Sequence, residues 1–418
     1  SCEEGYFTNQ KNSKKLDNIE FSGTFTNGEK RDFSTMKFTM NKLKAQPEAG
    51  IFDAKLEVIN FDEPDIDLNL KSNFNLDFLV KFLNIDDEIH NAKGFVGIEM
   101  NFHDIIDLAH PERSLEKLNE SYFTELIVKN LSFDAKSYHL PVKNINIHAD
   151  LEGNRLTIDQ FKGVIGASDI DLTAMVSDIP AILHQRKSPI DTKFSIRANH
   201  IDIAELTYDT KKKVSAVDEK IDNFQMDMSF HCEASDLTFN RVPVGEFILH
   251  KLSAKLQNYP HNINDVTAGL YIEQNDIQIK RFKGKLDESD FLFYGKLNNY
   301  QHFVKPSSMA RSSAEIFFKS NQINLENLLT YKGENMLPEN IKNETFTDVK
   351  LKAKIGARFE GDKMTGTMLE LSKLGLTTTL HEKRFENFSG QVFFRKETIA
   401  IQNLKGNIGS SDLDLSFN

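Results

Sequence analysis

The residues best placed to do chemistry form a Ser-Asp pair that occurs three times, at Ser168-Asp169, Ser289-Asp290 and Ser411-Asp412. A serine beside a carboxylate could serve a hydrolase, and repeated carboxylates could hold calcium. Each pair also closes a short polar segment that reads as a hairpin turn, Gly166-Ala167-Ser168, Asp287-Glu288-Ser289 and Gly409-Ser410-Ser411. Ser and Asp belong where a turn meets a strand, because their side chains satisfy free backbone donors. A catalytic residue repeated identically three times would be unusual; a turn device would not. The 12 histidines are scattered, with no HExxH or comparable ligand pair. Neither a Walker loop nor GxSxG occurs, and the glycines of FKGVIG and LKGNIG have no following helix to hold phosphate. No catalytic or metal residue is assigned, no cofactor is expected, and the chain reads as a non-enzyme.

The Ser-Asp pair is one part of a longer repeated stretch: LTIDQFKGVIGASDIDLTAMV from Leu156, IQIKRFKGKLDESDFLFYGKL from Ile277 and IAIQNLKGNIGSSDLDLSFN from Ile399. Phe161 and Phe282 are 121 positions apart, and Phe282 and Leu404 are 122 apart, which marks an internal repeat. Ile158 and Phe161 are three apart, so strict alternation would put them on opposite faces. Ile279/Phe282 and Ile401/Leu404 slip in the same way. A bulge at Gln160, Arg281 and Asn403 restores both apolar groups to one face. Gly163, Gly284 and Gly406 follow, permitting a bend or a close backbone approach. Twelve residues are thereby expected on one face: Ile158, Phe161, Ile170, Leu172, Ile279, Phe282, Phe291, Phe293, Ile401, Leu404, Leu413 and Leu415. Leu43-Lys44-Ala45 reads as a degraded earlier copy.

A second element keeps the same register. IDLNLKSNFNLDFL, KFSIRANHIDIAEL and EIFFKSNQINLENL each read as a strand, a small-residue-Asn step and a helix start. Asn75, Asp202 and Asn324 are placed as N-caps. Leu76/Leu79, Ile203/Leu206 and Leu325/Leu328 then share one helical face. The expected fold is mainly β: an elongated repeat of antiparallel strands curled into an open groove, about seven strands and one short helix per repeat. Residues 1–75 read as a degenerate first part of the groove. Residues 76–120 read as a helical insertion region with one strand, with helical pattern over Asp104 to Leu118. Residues 121–206, 207–328 and 329–418 read as three groove repeats, the last truncated.

Composition narrows the function classes. The chain has 418 residues, 39% hydrophobic and 27% charged, with 33 Phe and no Trp. Phe at that density covers apolar surface without polar handles. The net charge of −11 argues against nucleic acid as a partner. No run approaches the length of a membrane-spanning helix. Cys2 and Cys232 could pair, although Cys232 sits in an alternating run as a small apolar residue would.

The unit (I/L)x(I/L)xx(F/L)KGxx-turn-SD(I/L/F), followed by a strand and an Asn-(I/L)-(D/N)-(I/L) helix start, resembles the C-terminal region of AsmA-like proteins. The resemblance covers roughly residues 120–418 and is clearest in RFKGKLDESDFLFYGKLNN and FKGVIGASDIDLTAMVSD. It implies a periplasmic piece of an envelope protein of Gram-negative bacteria, anchored in the inner membrane by a segment outside this chain. It also implies kinship with bridge-like lipid transfer proteins, whose β-sheet curls into a trough. The implied ligand is phospholipid acyl chains, carried between inner and outer membranes. The family has no residue-level active site. The rival reading is a scaffold or chaperone that helps outer-membrane assembly proteins through exposed sheet edges.

Overall fold

The computed structural model describes residues 1–418 apart from 12, 49, 63, 104–120, 184, 210–211, 216–218, 239–242, 257–260, 302–309, 332–333, 336–341, 361–362, 396–397 and 418. The expected helix over Asp104 to Leu118 lies outside the described residues. The protein is mainly β, with 22 strands in one antiparallel sheet and a few short helices. Among the described residues the first and last strands do not pair with each other, so the sheet does not close into a barrel.

Contacts divide the chain into two units. The first comprises Ser1–Ile201, Glu205–Ala216 and His231–Arg241. Its strands are β1 Cys2–Thr8, β2 Lys15–Thr26, β3 Lys37–Pro47, β4 Ile51–Ile59, β5 Asp65–Asn75, β6 Ile89–His103, β7 Ser121–Ala135, β8 Val142–Glu152, β9 Arg155–Ile165, β10 Ser168–Val176 and β11 Pro189–Asp202. β12 Tyr208–Asp209 and β13 Val214–Ser215 form a separate small hairpin. The second unit comprises Asp202–Ala204, Val217–Phe230 and Val242–Asn418. Its strands are β14 Glu219–Glu233 (whose last residues join the first unit), β15 Val244–Leu256, β16 Asn262–Ile272, β17 Asp276–Leu286, β18 Ser289–Asn298, β19 Ala310–Asn324, β20 Thr330–Tyr331, β21 Glu334–Asn335, β22 Thr345–Glu360, β23 Lys363–Thr378, β24 His381–Arg395, β25 Thr398–Ile408 and β26 Ser411–Phe417. β20 and β21 pair only with each other.

The bulges fall where the three-residue slips demand them. Phe161 faces Leu172 and Ile158 faces Ala174, three positions on β9 against two on β10. Phe282 faces Phe293 while Ile279 faces Gly295, and Leu404 faces Leu415 while Ile401 faces Phe417. The degraded copy behaves the same way: Leu43 faces Ala54 and Met40 faces Leu56. Within each unit the bulged strands stand six apart, β3 from β9 in the first and β17 from β25 in the second once the β20–β21 hairpin is set aside. The repeat is therefore six strands, not seven, because the polar stretches after β11 and β19 fold into hairpins of their own.

Each β11- or β19-type strand ends at a short helix. Asn75 caps Leu76–Phe82 by accepting the Asp77 backbone N–H at 2.8 Å. Helices Ile203–Leu206 and Leu325–Leu329 start directly after Asp202 and Asn324. Two further helices, Ile179–Leu183 and Ala234–Thr238, pack together in the first unit and bury Ala181 and Ala234 fully. Their few residues carry too short a periodic pattern to be read from sequence. Cys2 and Cys232 are both free thiols.

Candidate functional site

Residues directly opposite in an antiparallel pair share a face. In the first unit one row runs Phe74, Val96, Val128, Ile147, Phe161, Leu172, Ile196 across β5 to β11. In the second unit a row runs Leu249, Ala268, Phe282, Phe293, Phe318, Leu351, Leu374, Phe388 across β15 to β24. No charged side chain enters either row. The neighbouring rows on the other face carry the charges, with cross-strand ion pairs such as Lys71–Glu99 at 2.7 Å and Lys162–Asp171 at 3.1 Å.

The twelve residues expected on one face fall into these two apolar surfaces. Ile158, Phe161, Ile170 and Leu172 lie in the first unit; Ile279, Phe282, Phe291, Phe293, Ile401, Leu404, Leu413 and Leu415 lie in the second. Eleven are half-buried and Leu415 is 42% exposed. A closed core would bury large aliphatic and aromatic side chains of this kind. The buried positions of the face are of two kinds: small residues, Ala149, Ala174, Ala268 and Ala353, and a minority of larger ones, Val128, Ile145, Val176, Val266, Ile272, Leu286 and Phe388. In the second unit Phe282, Phe291, Phe293 and Phe318 form a ring cluster, with centroids 4.7 Å apart for Phe293–Phe318 and 5.3 Å for Phe282–Phe291.

The repeat glycines are explained by three of those larger buried residues. A Cβ at Gly163 would meet Ile145 Cδ1 at 2.0 Å. At Gly284 it would meet Val266 at 2.8 Å, and at Gly406 the Phe388 ring at 2.6 Å. Each of these three side chains comes from the preceding strand and directly follows an Asx residue in the left-handed region: Asn144 (φ 53°), Asp265 (φ 51°) and Asn387 (φ 54°). The Asx residue makes a bulge, which the left-handed tolerance of Asn and Asp favours. The next side chain then lies over the glycine of the following strand. A fixed interval of 19 positions from Asx to glycine is the sequence signal for this device.

The Ser-Asp pairs are structural. Asp169 accepts the backbone N–H of Asn199 at 3.0 Å and of His200 at 2.7 Å, plus the Asn199 amide at 2.8 Å. Asp290 repeats this with Asn321 N–H at 2.8 Å, Gln322 N–H at 2.9 Å, the Asn321 amide at 2.8 Å and the Ser320 hydroxyl at 3.1 Å. Ser289 Oγ accepts the Asn324 N–H at 2.9 Å. Partial burial opposes ionisation of both aspartates, but the donated N–H groups outweigh it and hold both carboxyls below the usual value. The hairpin element thus ties down the small-residue-Asn step before the helices at Ile203 and Leu325. In the last copy, Asp412 accepts the Asn407 amide.

One cluster escaped the sequence. His148 Nε2 lies 3.1 Å from Glu125 and 3.8 Å from Asp150, and Nδ1 lies 3.5 Å from Asp159. Among the described residues, Glu125, His148 and Asp150 are the group with ligand atoms close enough to share a metal. They stand on the charged side of the sheet and come from adjacent strands β7 and β8, so no linear motif exists. No helix among the described residues is long and apolar enough to cross a membrane. Comparison with protein-family models, curated proteins and solved structures finds no match, so the likeness to AsmA-like proteins rests on the repeated residues themselves.

Proposed function

We propose that the chain binds phospholipid acyl chains along the apolar face of its sheet and contributes to lipid movement across a bacterial envelope. The observation that supports this is the pair of charge-free rows, seven and eight strands wide, whose large side chains are half-buried apart from Val128 and Phe388. Solvated apolar surface of that extent is costly at about 25 cal/mol per Å², and monomers seldom leave it bare. Acyl chains fit it without polar partners, which the face does not offer. The periplasmic setting and the AsmA-like assignment follow from the resemblance in the repeat and are part of the same proposal.

Lipid extraction and native mass spectrometry of the chain, purified from cell envelopes without detergent, test it. Copurified phospholipid released on denaturation is the expected result. Lipid-free protein that also fails to take up acyl chains from vesicles would sink the proposal and favour a scaffold acting through sheet edges.

A further inference from the structure

The charged side of the second unit is not balanced. In three copies of the repeat the lysine after the bulge faces an aspartate on the return strand: Lys44–Asp53 at 3.4 Å, Lys162–Asp171 at 3.1 Å and Lys405–Asp414 at 3.1 Å. In the remaining copy Lys283 faces Leu292. Leu292 in turn faces Lys319, and Lys319 faces Lys350. In the next row Tyr294, Phe317, Lys352 and Lys373 face one another in succession. Two lysine–lysine oppositions result, an arrangement that disfavours the fold unless an anion compensates it. Lys350 reaches Asp348 at 3.1 Å. Lys283, Lys319, Lys352 and Lys373 are exposed and make no ion pair among the described residues. The nearby Asp290 is committed to the backbone of Asn321 and Gln322. The patch stops at Lys354, which stands between Glu315 and Glu370.

Apolar groups are set among these lysines. Lys319 lies over the Phe317 ring at 5.1 Å, Phe317 and Tyr294 are 6.1 Å apart, and Tyr294 is 36% exposed. We propose that this patch docks the second unit on the surface of an anionic phospholipid bilayer. Cross-strand neighbours are about 5 Å apart and same-strand neighbours about 7 Å, so the lysines form a two-dimensional array. Such an array suits a plane of many phosphates better than one bound phosphate. Tyr and Phe among cations suit the headgroup layer, where amphipathic side chains settle. The chain's net charge of −11 opposes long-range attraction, but screening beyond about 8 Å leaves the local patch in control at contact. A second copy of this chain fits less well: Glu57 and Glu99 are already paired with Lys37 and Lys71, and Glu125 with His148. The inference is separate from the acyl-chain reading, because the patch lies on the other side of the sheet.

Flotation of the whole chain with phosphatidylcholine vesicles, with and without phosphatidylglycerol, tests it at low and high salt. Binding that requires phosphatidylglycerol and falls with salt is expected. Each lysine at an anionic surface is worth about a fivefold change in partition, so Lys319→Ala with Lys352→Ala should lower binding about twenty- to thirtyfold. The double variant removes like-charge oppositions, so its melting temperature should hold or rise. Lys162→Ala, in the first unit and paired with Asp171, should leave vesicle binding unchanged. Absent binding, equal binding to neutral vesicles, or an unaffected double variant overturns the proposal. So does tighter binding to an oligonucleotide than to anionic vesicles, or a dimer in solution that the double variant abolishes.

Discussion

Replacing Asp290 separates a structural Ser-Asp pair from a catalytic one. Asp290→Ala strands two backbone N–H groups, at Asn321 and Gln322, along with the Asn321 amide and the Ser320 hydroxyl. A hydrogen bond to a charged group is worth about 1.5–3 kcal/mol. Asn321 is exposed and Gln322 half-buried, so water replaces part of the loss, leaving a destabilisation of about 3 kcal/mol. Asp290→Asn keeps one oxygen for the two N–H groups and loses the charge, for about 1 kcal/mol. Urea denaturation of the three proteins measures both, and the ordering matters more than the values. The pH dependence has a definite sign. The folded carboxyl is held below its usual value of about 3.9, so its stabilisation is present above that pH and fades as pH falls toward the folded value. Asp290→Ala should flatten that part of the stability profile. An Asp290→Ala protein as stable as the parent at neutral pH would refute the role assigned to the pair.

Gly406→Ala should cost about 1–3 kcal/mol, because its Cβ would press on the Phe388 ring and neither can move freely; thermal denaturation gives the value, and an unchanged protein would discredit the seating of Phe388 over the glycine. Asn144→Gly should be tolerated and Asn144→Ala should cost about 1–2 kcal/mol, since only the former takes φ 53° without strain. Alkylation of the native chain at about pH 8 should modify Cys2 and spare Cys232, whose thiol burial and the nearby Asp236 push up to about 11; equal labelling would contradict the packing around Cys232. Phe293→Leu should fold and keep lipid, while Phe293→Asp should fold but lose lipid loading, because a carboxylate among acyl chains is strongly disfavoured. An unfolded Phe293→Asp would show that the face is a core.

The bulges were legible because apolar residues three apart in an otherwise alternating run leave no other way to share a face. The helices near Asn75, Asp202 and Asn324 were legible because a capping residue precedes an i, i+3 apolar pair. The deep seats of Ile145, Val266 and Phe388 are marked in the sequence only by the constant 19-position interval from Asx to glycine, and neither residue alone announces them, because the left-handed Asx and the glycine that its neighbour covers lie on different strands. The His148 cluster and the unpaired lysines were illegible for a related reason: both arise from register between strands, which a linear reading does not supply. The strand VKLKAKIGAR did announce its alternation, yet whether Lys352 meets an acid or Lys373 is decided only by pairing.

The central claim is that one side of the sheet carries acyl chains and the other does not. A photo-crosslinking residue placed at Phe161, Phe282 or Leu404, and in parallel at the adjacent Lys162, Lys283 or Lys405, compares the two sides at the same point on each strand. After incubation with radiolabelled phosphatidylcholine, a zwitterionic lipid that the lysine patch should not bind, the account predicts acyl-chain adducts from the first three positions and background from the second three. Adducts from both sets, or from neither, would contradict it.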